Sequence, residues 1–525
     1  MSSERSPINR NGDIRYSTIP DNSIQSSTQE DKSKNVNPLV ALYREISSGE
    51  QRLRIVFLYS CIAALGAVLT GFALGYSSLA QLDLSSNVGT MAVPSDKNFK
   101  YIGSIINVGA LIGATFTGVA SDKFGRTALL MVGSIPCVIG WAVIAGSWYF
   151  IRDDNSTPVL VMLLVGRFLT GLAAGCYSLV VPVYILEISP ASLKGLFGAL
   201  NQLGVTLGIL IIYLLTSFCR YYYGALVAAG LSLVFVVVVL FLPETPRWLM
   251  ANNERLEANR ILCKLRGPRA NIQKEMSTLD KGLERDAELS LVDKLKMLRY
   301  KYSYIPLIFA VFLMFFQQFC GINVIIFYAG TVLKTAKVQD ANLAADFGVG
   351  VIQVIFTFVS VVLIDMLGRK ILLCTGGLLL SLSAIGLGVY YYLTAHHTNL
   401  DDSNKFSYLA VVCLAVFIIG FSIGWGPIPW VMMGELTPLQ TRGILSGITT
   451  AVNWTFSTIV TFAFQPYEDL VNPYGAWWTF GAISALSIPF VFFLIPETRG
   501  KELEDIQEEF EKRYGRNTRN NDDKE

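Results

Sequence analysis

The chain has 525 residues, of which 52% are hydrophobic and 16% are charged. This composition is more apolar than that of soluble globular proteins. The net charge of +2 leaves no strongly basic surface, so a nucleic-acid partner is not expected.

Long apolar blocks alternate with short polar breaks along most of the chain. A block of about 20 apolar residues can cross the bilayer core as a helix. The blocks predict twelve transmembrane helices, at residues 55–80, 101–121, 128–149, 159–182, 194–217, 224–243, 305–329, 344–365, 371–394, 408–433, 443–465 and 474–495.

These blocks divide the chain into five regions. The polar breaks between and around them predict a disordered cytosolic N-terminal tail, an N-terminal six-helix bundle, a cytosolic helical linker, a C-terminal six-helix bundle and a cytosolic C-terminal tail, at residues 1–50, 51–243, 244–304, 305–496 and 497–525.

Lys and Arg residues concentrate in every second break. Basic loops stay on the cytosolic side of a membrane, so this pattern predicts that both termini are cytosolic. The breaks assigned to that side contain the segment 247–301 together with Arg52, Arg54, Lys123, Arg126, Lys194, Arg369, Lys370 and Arg442.

Three motifs of the first half recur in the second half, in the same order. Their repetition predicts one duplicated six-helix unit, and therefore an all-α membrane protein of two pseudo-symmetric six-helix bundles. The repeated pairs are 122–126 with 365–369, 187–190 with 435–438, and 243–245 with 496–498.

Predicted span seven carries three amide side chains, Gln317, Gln318 and Asn323. Amides both donate and accept hydrogen bonds, which suits the hydroxyls of a sugar. In hydrocarbon they need partners, so they either line a polar cavity or bond to neighbouring helices. A local unwinding at Gly321 lets Gln318 and Asn323 face the same cavity.

Predicted span ten contains Gly426, Pro427 and Pro429. Proline removes a backbone donor and clashes with the preceding turn, so the helix has to break or kink there. The break is interpreted as a hinge that closes one side of a site, with a static kink as the alternative.

The motifs together resemble the sugar-porter branch of the major facilitator superfamily, from about residue 55 to 506. Residues 350–354 and 424–430 further resemble the class III facilitative glucose transporters. The other matching stretches are 125–126, 166–167, 182–187, 243–249, 317–323, 426–430 and 496–500.

This resemblance implies roles for individual residues. Trp430 is expected to stack on a sugar or gate the cavity, although a tryptophan near an interface is also typical of the aromatic belt. The implied sugar-binding residues are Gln202, Gln317, Gln318, Asn323, Gln353, Trp430 and Asn453.

Charged residues are expected at the cytosolic ends of the spans. The resemblance implies that they form salt bridges between the bundles, which break when the bundles rock. For each residue, a charge that simply reaches the interface is the alternative. The implied gating residues are Arg126, Arg167, Glu187, Arg369, Glu435 and Arg442.

Two departures from the family bear on mechanism and substrate. Proton-coupled sugar porters carry an Asp in span one, where this chain has Ala73, which favours a uniporter. Glucose-selective class I members carry Gln-Leu-Ser where this chain has residues 314–316 as Met-Phe-Phe, so fructose stays open as a second substrate.

No cofactor is implied, and no metal site, phosphate-binding loop or nucleophile–base pair is recognised, so an enzyme is not expected. Asn155 lies in a glycosylation sequon on a predicted outer loop. The predicted partners are a small sugar and the lipid bilayer, and the predicted working unit is a monomer. The plasma membrane is favoured over an intracellular vesicle membrane.

The sequence therefore predicts facilitative hexose transport by alternating access. A proton-coupled sugar symporter and a carrier of a disaccharide or polyol stay open as alternatives. A nutrient-sensing receptor on a transporter scaffold is the further alternative, although the tail after Pro496 is short for a signalling domain.

Overall fold

The computed structural model describes residues 53–86, 96–150, 157–190, 193–267, 270–287, 299–326, 341–396, 400–437, 442–501 and 503–514. All regular elements in these ranges are helices. The predicted N-terminal tail and the sequon at Asn155 lie outside the described residues.

Within the ranges described, eleven helical segments are long and apolar enough to span a membrane. The last of them, Gly443–Leu494, contains two helices, because Asn472 adopts a non-helical φ of 62° and ψ of 161° between them. The predicted number of twelve is therefore confirmed.

The spanning helices are labelled α1 to α12 in chain order. Their bounds are α1 Leu53–Ser86, α2 Asp96–Phe124, α3 Arg126–Gly146, α4 Thr157–Ile188, α5 Lys194–Phe218, α6 Tyr221–Val239, α7 Lys301–Phe319, α8 Ala341–Leu367, α9 Arg369–His396, α10 Leu400–Leu436 with a central break, α11 442–471 and α12 473–494.

Short helices follow each half. Pro246–Ala251, Arg255–Arg266 and Ile272–Ala287 lie in the linker, and Leu503–Tyr514 follows α12. Arg266 fastens the linker to the first half, because its Nη1 donates to the carbonyl of Ile188 at 2.8 Å. A cation at a helix C-terminus satisfies carbonyls that have no partner within the helix.

The two halves meet along two seams. In one, α2 and α11 approach so closely that a Cβ at Gly118 would lie 3.0 Å from the Cα of Gly447. In the other, a Cβ at Gly350 of α8 would lie 3.0 Å from the side chain of Leu210 on α5. Large apolar side chains such as Phe116 and Phe493 are exposed on the spanning helices, as expected for a protein surrounded by lipid.

Candidate functional site

The seventh span, Lys301–Ile326, unwinds just after α7, at Gly321, which adopts a φ of 95°. The α-helix ends at Phe319 and helical structure resumes at 322–326. A positive φ suits glycine, which has no Cβ to clash. The predicted unwinding is confirmed, and it brings the amides of Gln318 and Asn323 into contact although they are five residues apart.

Four of the predicted amides form one buried network between α7 and α11. Asn323 Nδ2 donates to Gln318 Oε1 at 2.5 Å, and Gln318 Nε2 donates to Asn453 Oδ1 at 3.2 Å. Asn453 Nδ2 donates to Gln317 Oε1 at 2.8 Å. Asn323 also donates to Ser457 Oγ at 2.8 Å. The network lies entirely in the second half.

The break in α10 has a precise origin in its prolines. The helix Leu400–Gly420 passes into a π-helical turn at 421–425, and α-helix resumes at Ile428. Pro427 and Pro429 cannot donate to the carbonyls four residues earlier, at Ile423 and Trp425.

Side chains from neighbouring helices occupy these freed carbonyls. Ser360 Oγ of α8 donates to the Ile423 carbonyl at 2.7 Å. Gln317 Nε2 donates to the Trp425 carbonyl at 2.8 Å and to the Gly426 carbonyl at 3.1 Å. A broken helix at membrane depth needs such substitutes, since no water satisfies it there.

The first half reaches this site through Gln202 of α5. A Cβ at Gly426 would lie 3.5 Å from Gln202 Nε2, so the absent side chain lets the two halves approach at the break. Gln353 is buried on α8, and Trp430 is half-buried just after the break. The structure thus brings Gln202 of α5 and Gln317 of α7 to Gly426, and Gln317 joins the network of Gln318, Asn323 and Asn453.

The amide network is compatible with both interpretations of these residues. Its bonds join α7 to α11, as interhelix bonds do. Each amide group nevertheless has two donor hydrogens and two acceptor lone pairs, more than the bonds of Gln318 use. Sugar hydroxyls can therefore add to the network or replace its internal bonds.

An ionic cluster closes one end of the first half, and we call it the first-half cluster: Asp122, Arg126, Glu187 and Glu244. Arg126 lies 3.0 Å from Glu187 and 3.5 Å from Asp122. Glu244 accepts from the backbone nitrogens of Arg126 and Thr127, at 3.1 and 2.9 Å, and so caps the start of α3.

The second-half cluster repeats this arrangement with Asp365, Arg369, Glu435 and Glu497. Arg369 lies 2.8 Å from Glu435 and 2.9 Å from Asp365. Glu497 accepts from the backbone nitrogens of Arg369 and Lys370, at 3.1 and 3.0 Å. The duplication read from the sequence is therefore also a duplication of contacts.

These ion pairs correct one expectation. In the described part of the chain, the ion pairs of Arg126 and Arg369 lie within each half and not between the halves. At the end of the molecule that holds the two clusters, which we call the basic end, two contacts between the halves instead join a carboxylate to a helix N-terminus.

Asp365 Oδ2 accepts from the backbone nitrogen of Leu196 at the start of α5, at 3.0 Å. On the other seam, a Cβ at Gly443 would lie 2.6 Å from Asp122 Oδ2, so Asp122 sits at the start of α11. Carboxylates are stabilised at helix N-termini, where backbone N–H groups have no partner. The side chain of Arg442, predicted for this group, lies outside the described residues.

Sequence reasoning missed the four acids Asp122, Glu244, Asp365 and Glu497 as functional candidates. The repeated motifs contain all of them, so the recurrence itself was the available signal. The recurrence did not single out these acids, because the repeated motifs do not show which of their side chains contacts the opposite half.

Arg167 is the second correction, because it does not lie at the basic end. It precedes Glu187 by 20 residues in the same helix, a separation of about 30 Å. Its fully buried guanidinium bonds to the carbonyls of Ala73 and Ile102 and to Ser77 Oγ. The motif placed Arg167 in a helix but did not give its depth.

Comparisons with known proteins agree with this architecture. The family model "Sugar (and other) transporter" matches residues 59–510. The mouse "Solute carrier family 2, facilitated glucose transporter member 8" is 36% identical over 90% of this chain and 98% of its own length. The honeybee "Facilitated trehalose transporter Tret1" is 32% identical over 93% of this chain and 96% of its own length.

Solved structures give the same result. The proton:xylose symporter XylE bound to 6-bromo-6-deoxy-D-glucose superposes with a TM-score of 0.76, at 25% identity, covering 87% of this chain and 99% of that one. The inward-open XylE from E. coli has a TM-score of 0.66 at 23% identity, covering 86% of this chain and 99% of that one. The chain therefore belongs to the sugar transporter family of the major facilitator fold, as a multi-pass membrane transporter of sugars and not an enzyme.

Proposed function

We propose that this protein carries a hexose down its gradient by alternating access, as a uniporter. The observation that carries the proposal is the buried amide network of Gln317, Gln318, Asn323 and Asn453, which faces Gln202 of the opposite half across Gly426. Amides that both donate and accept match a ring of hydroxyls. A site between two duplicated bundles can open to each side in turn.

The surroundings of Arg167 support uniport. A proton-coupled carrier needs an ionisable group inside the membrane that exchanges its proton during the cycle. The hydrogen-bond acceptors around Arg167, in the residues that the structure describes, are the two carbonyls of Ala73 and Ile102 and the hydroxyl of Ser77. Ala73 supplies no carboxylate, and these acceptors stay neutral at every physiological pH.

The basic end supports the gating part of the proposal. Asp365 at the start of α5 and Asp122 at the start of α11 hold the halves together there. The ion pairs of Arg126 and Arg369 then position these acids and do not themselves cross the seam. In this proposal Gly426, Pro427 and Pro429 form the hinge of α10. Trp430 moves with the part of α10 that follows the hinge.

Reconstituted transport tests the proposal. The purified protein in liposomes is expected to take up labelled glucose until the concentrations equalise, and to show counterflow, with or without an imposed pH gradient. Accumulation above equilibrium that requires a proton gradient would overturn uniport. Absence of uptake and counterflow for every hexose tested would overturn the assignment of the substrate.

A disaccharide carrier is the second candidate, favoured by the likeness to facilitated trehalose transporters at 32% identity. A counterflow panel of glucose, fructose, trehalose and a polyol separates the two. Trehalose exchange with no hexose exchange would replace the first candidate with the second.

The orientation belongs to the same proposal. We place the basic end and both termini in the cytosol because basic residues concentrate there. We take the plasma membrane as the location and a monomer as the working unit. An epitope placed at either terminus that antibody reaches in intact cells would contradict this orientation.

A further inference from the structure

Two contacts fix how α8 is oriented, one with α10 and one with α5. Ser360 Oγ touches the π-helical turn of α10 through the Ile423 carbonyl, at 2.7 Å. Gly350 touches Leu210 of α5. An α-helix turns by about 100° per residue, so Gln353 and Thr357 project between these two directions. They therefore face the corner between α5 and α10, the same two helices that bring Gln202 and Gly426 together.

Both side chains on this face are buried, with exposures of 1% for Gln353 and 0% for Thr357. Gln353 Oε1 and Thr357 Oγ1 nevertheless have no hydrogen-bond partner among the described residues. A buried polar atom without a partner costs folding free energy, so native proteins keep few of them.

Thr357 and Thr449 are the threonines of the second half whose hydroxyls have no hydrogen-bond partner among the described residues, and of the two only Thr357 lies on α8. A helical threonine commonly donates to the carbonyl four residues earlier. Thr455, Thr458 and Thr461 of α11 do so, at 2.9, 2.8 and 2.8 Å. Thr357 makes no such bond, so its hydroxyl is kept available toward the corner of α5 and α10.

We propose that Thr357 binds a hydroxyl of the transported sugar together with Gln353 and helps to determine specificity. The proposal rests on the sugar-carrying function set out above. The threonine hydroxyl donates one hydrogen bond and accepts others, and the Gln353 carbonyl oxygen accepts. A sugar hydroxyl placed between them satisfies both atoms, on α8, in addition to the amides of α7 and α11.

Thr357→Val tests this, because it removes the hydroxyl and keeps the shape. If Thr357 binds sugar, the variant unfolds at the same or a higher temperature without sugar, since an unsatisfied hydroxyl has been removed. Its KM for glucose in counterflow is expected to rise about three- to tenfold, the loss of one hydrogen bond, with little change in kcat. Thr357→Ser is expected to restore the KM.

Thr458→Val is the matched control, because that hydroxyl is already bonded to the Trp454 carbonyl. Its KM is expected to stay at the wild-type value. A panel of deoxyglucoses gives the second readout. One analogue, lacking the hydroxyl that Thr357 contacts, is expected to have the same KM in the wild type and in Thr357→Val.

An unchanged KM and deoxyglucose profile in Thr357→Val would overturn the proposal, as would a raised KM accompanied by a lower unfolding temperature. Should the valine variant not reach the membrane, Thr357→Ala removes the same hydroxyl and is judged by the same outcomes. Wild-type counterflow separates the two proposals. Failure there counts against hexose transport, whereas normal wild-type counterflow with an unaltered Thr357→Val counts only against the role of Thr357.

Discussion

The two halves carry the same motifs, but the ionic cluster of the second half has more and shorter contacts than that of the first half. In the second-half cluster, Arg369 reaches Glu435 through two nitrogens, at 2.8 and 3.3 Å, and the Asp365 side chain is 15% exposed. In the first-half cluster, Arg126 reaches Glu187 through one nitrogen at 3.0 Å, and Asp122 is 54% exposed. Arg126 Nε and Glu187 Oε2 have no partner among the described residues. A duplicated sequence therefore does not guarantee equal interactions, because the side-chain geometry and the exposure of the aspartate differ between the two copies.

The polar site is equally uneven. Gln317, Gln318, Asn323 and Asn453 all belong to the second half, whereas Gln202 represents the first half beside Gly426. In the proposed mechanism, these differences assign different roles to the halves. The second half provides most of the sugar-binding amides and the more tightly bonded ionic cluster, and the first half moves relative to it.

The largest difference between the halves is expected in the stability lost when Arg369 or Arg126 is removed. Arg369→Ala leaves Asp365 and Glu435 buried without their cation, and we expect a loss of about 3–5 kcal/mol in stability. Arg126→Ala should cost less, because it leaves one buried carboxylate, Glu187, while water already screens Asp122. Thermal unfolding of the purified proteins measures both. A larger loss for Arg126→Ala would break the comparison.

The sugar site should respond more to its second-half amides than to its first-half amide. Gln318→Ala is expected to lower sugar affinity about tenfold, because it removes a side chain that bonds to both Asn323 and Asn453. Gln202→Ala should lower it less. Sugar-binding titrations of variants that insert normally compare them, and wild-type affinity in Gln318→Ala would remove this residue from the site.

Trp430 tests whether the piece of α10 beyond the break takes part in binding. Trp430→Ala is expected to lower sugar affinity about threefold to tenfold, a typical value for losing one aromatic contact, without abolishing insertion. Trp430→Phe keeps a ring and should retain most of the affinity. Equal affinity in the wild type and Trp430→Ala would favour an aromatic-belt role instead.

The smallest effects are expected at the two seams of the basic end. A Cβ at Gly195 would lie 2.1 Å from Asp365 Oδ1, whereas one at Gly443 would lie 2.6 Å from Asp122 Oδ2. Asp365 is held by Arg369 and cannot move aside easily, whereas the exposed Asp122 can. Gly195→Ala should therefore shift the equilibrium toward opening by about 1 kcal/mol, the value of a lost helix cap, and Gly443→Ala by less.

Labelling of a cysteine introduced at Leu186 with a membrane-impermeant thiol reagent reports this opening, in a chain freed of its eight native cysteines. Leu186 suits the purpose because it packs against Gly434 at the basic end. Faster labelling in Gly443→Ala than in Gly195→Ala would reverse the order of the two seams.

Much of the architecture could be predicted because its causes are local. Apolar length fixed the spans, Gly321 allowed α7 to unwind, and Pro427 and Pro429 required a break in α10. The depth of Arg167 in the membrane could not be predicted in the same way, since a two-residue Gly-Arg motif can lie at any distance from the end of a helix. The partners of Arg126 and Arg369 also depended on which helix ends meet.

By itself, the sequence determined the twelve spans, the duplication and the polar residues that a membrane interior would not tolerate without partners. Only the tertiary structure decided that Ser360 and Gln317 bond to the carbonyls freed by the prolines, that Asp365 reaches the start of α5, and that Thr357 has no partner among the residues described. Spans and breaks follow from hydropathy and backbone chemistry within a few neighbouring residues. Partners are set by distances between side chains that lie far apart in the chain, and these exist only once the helices have packed.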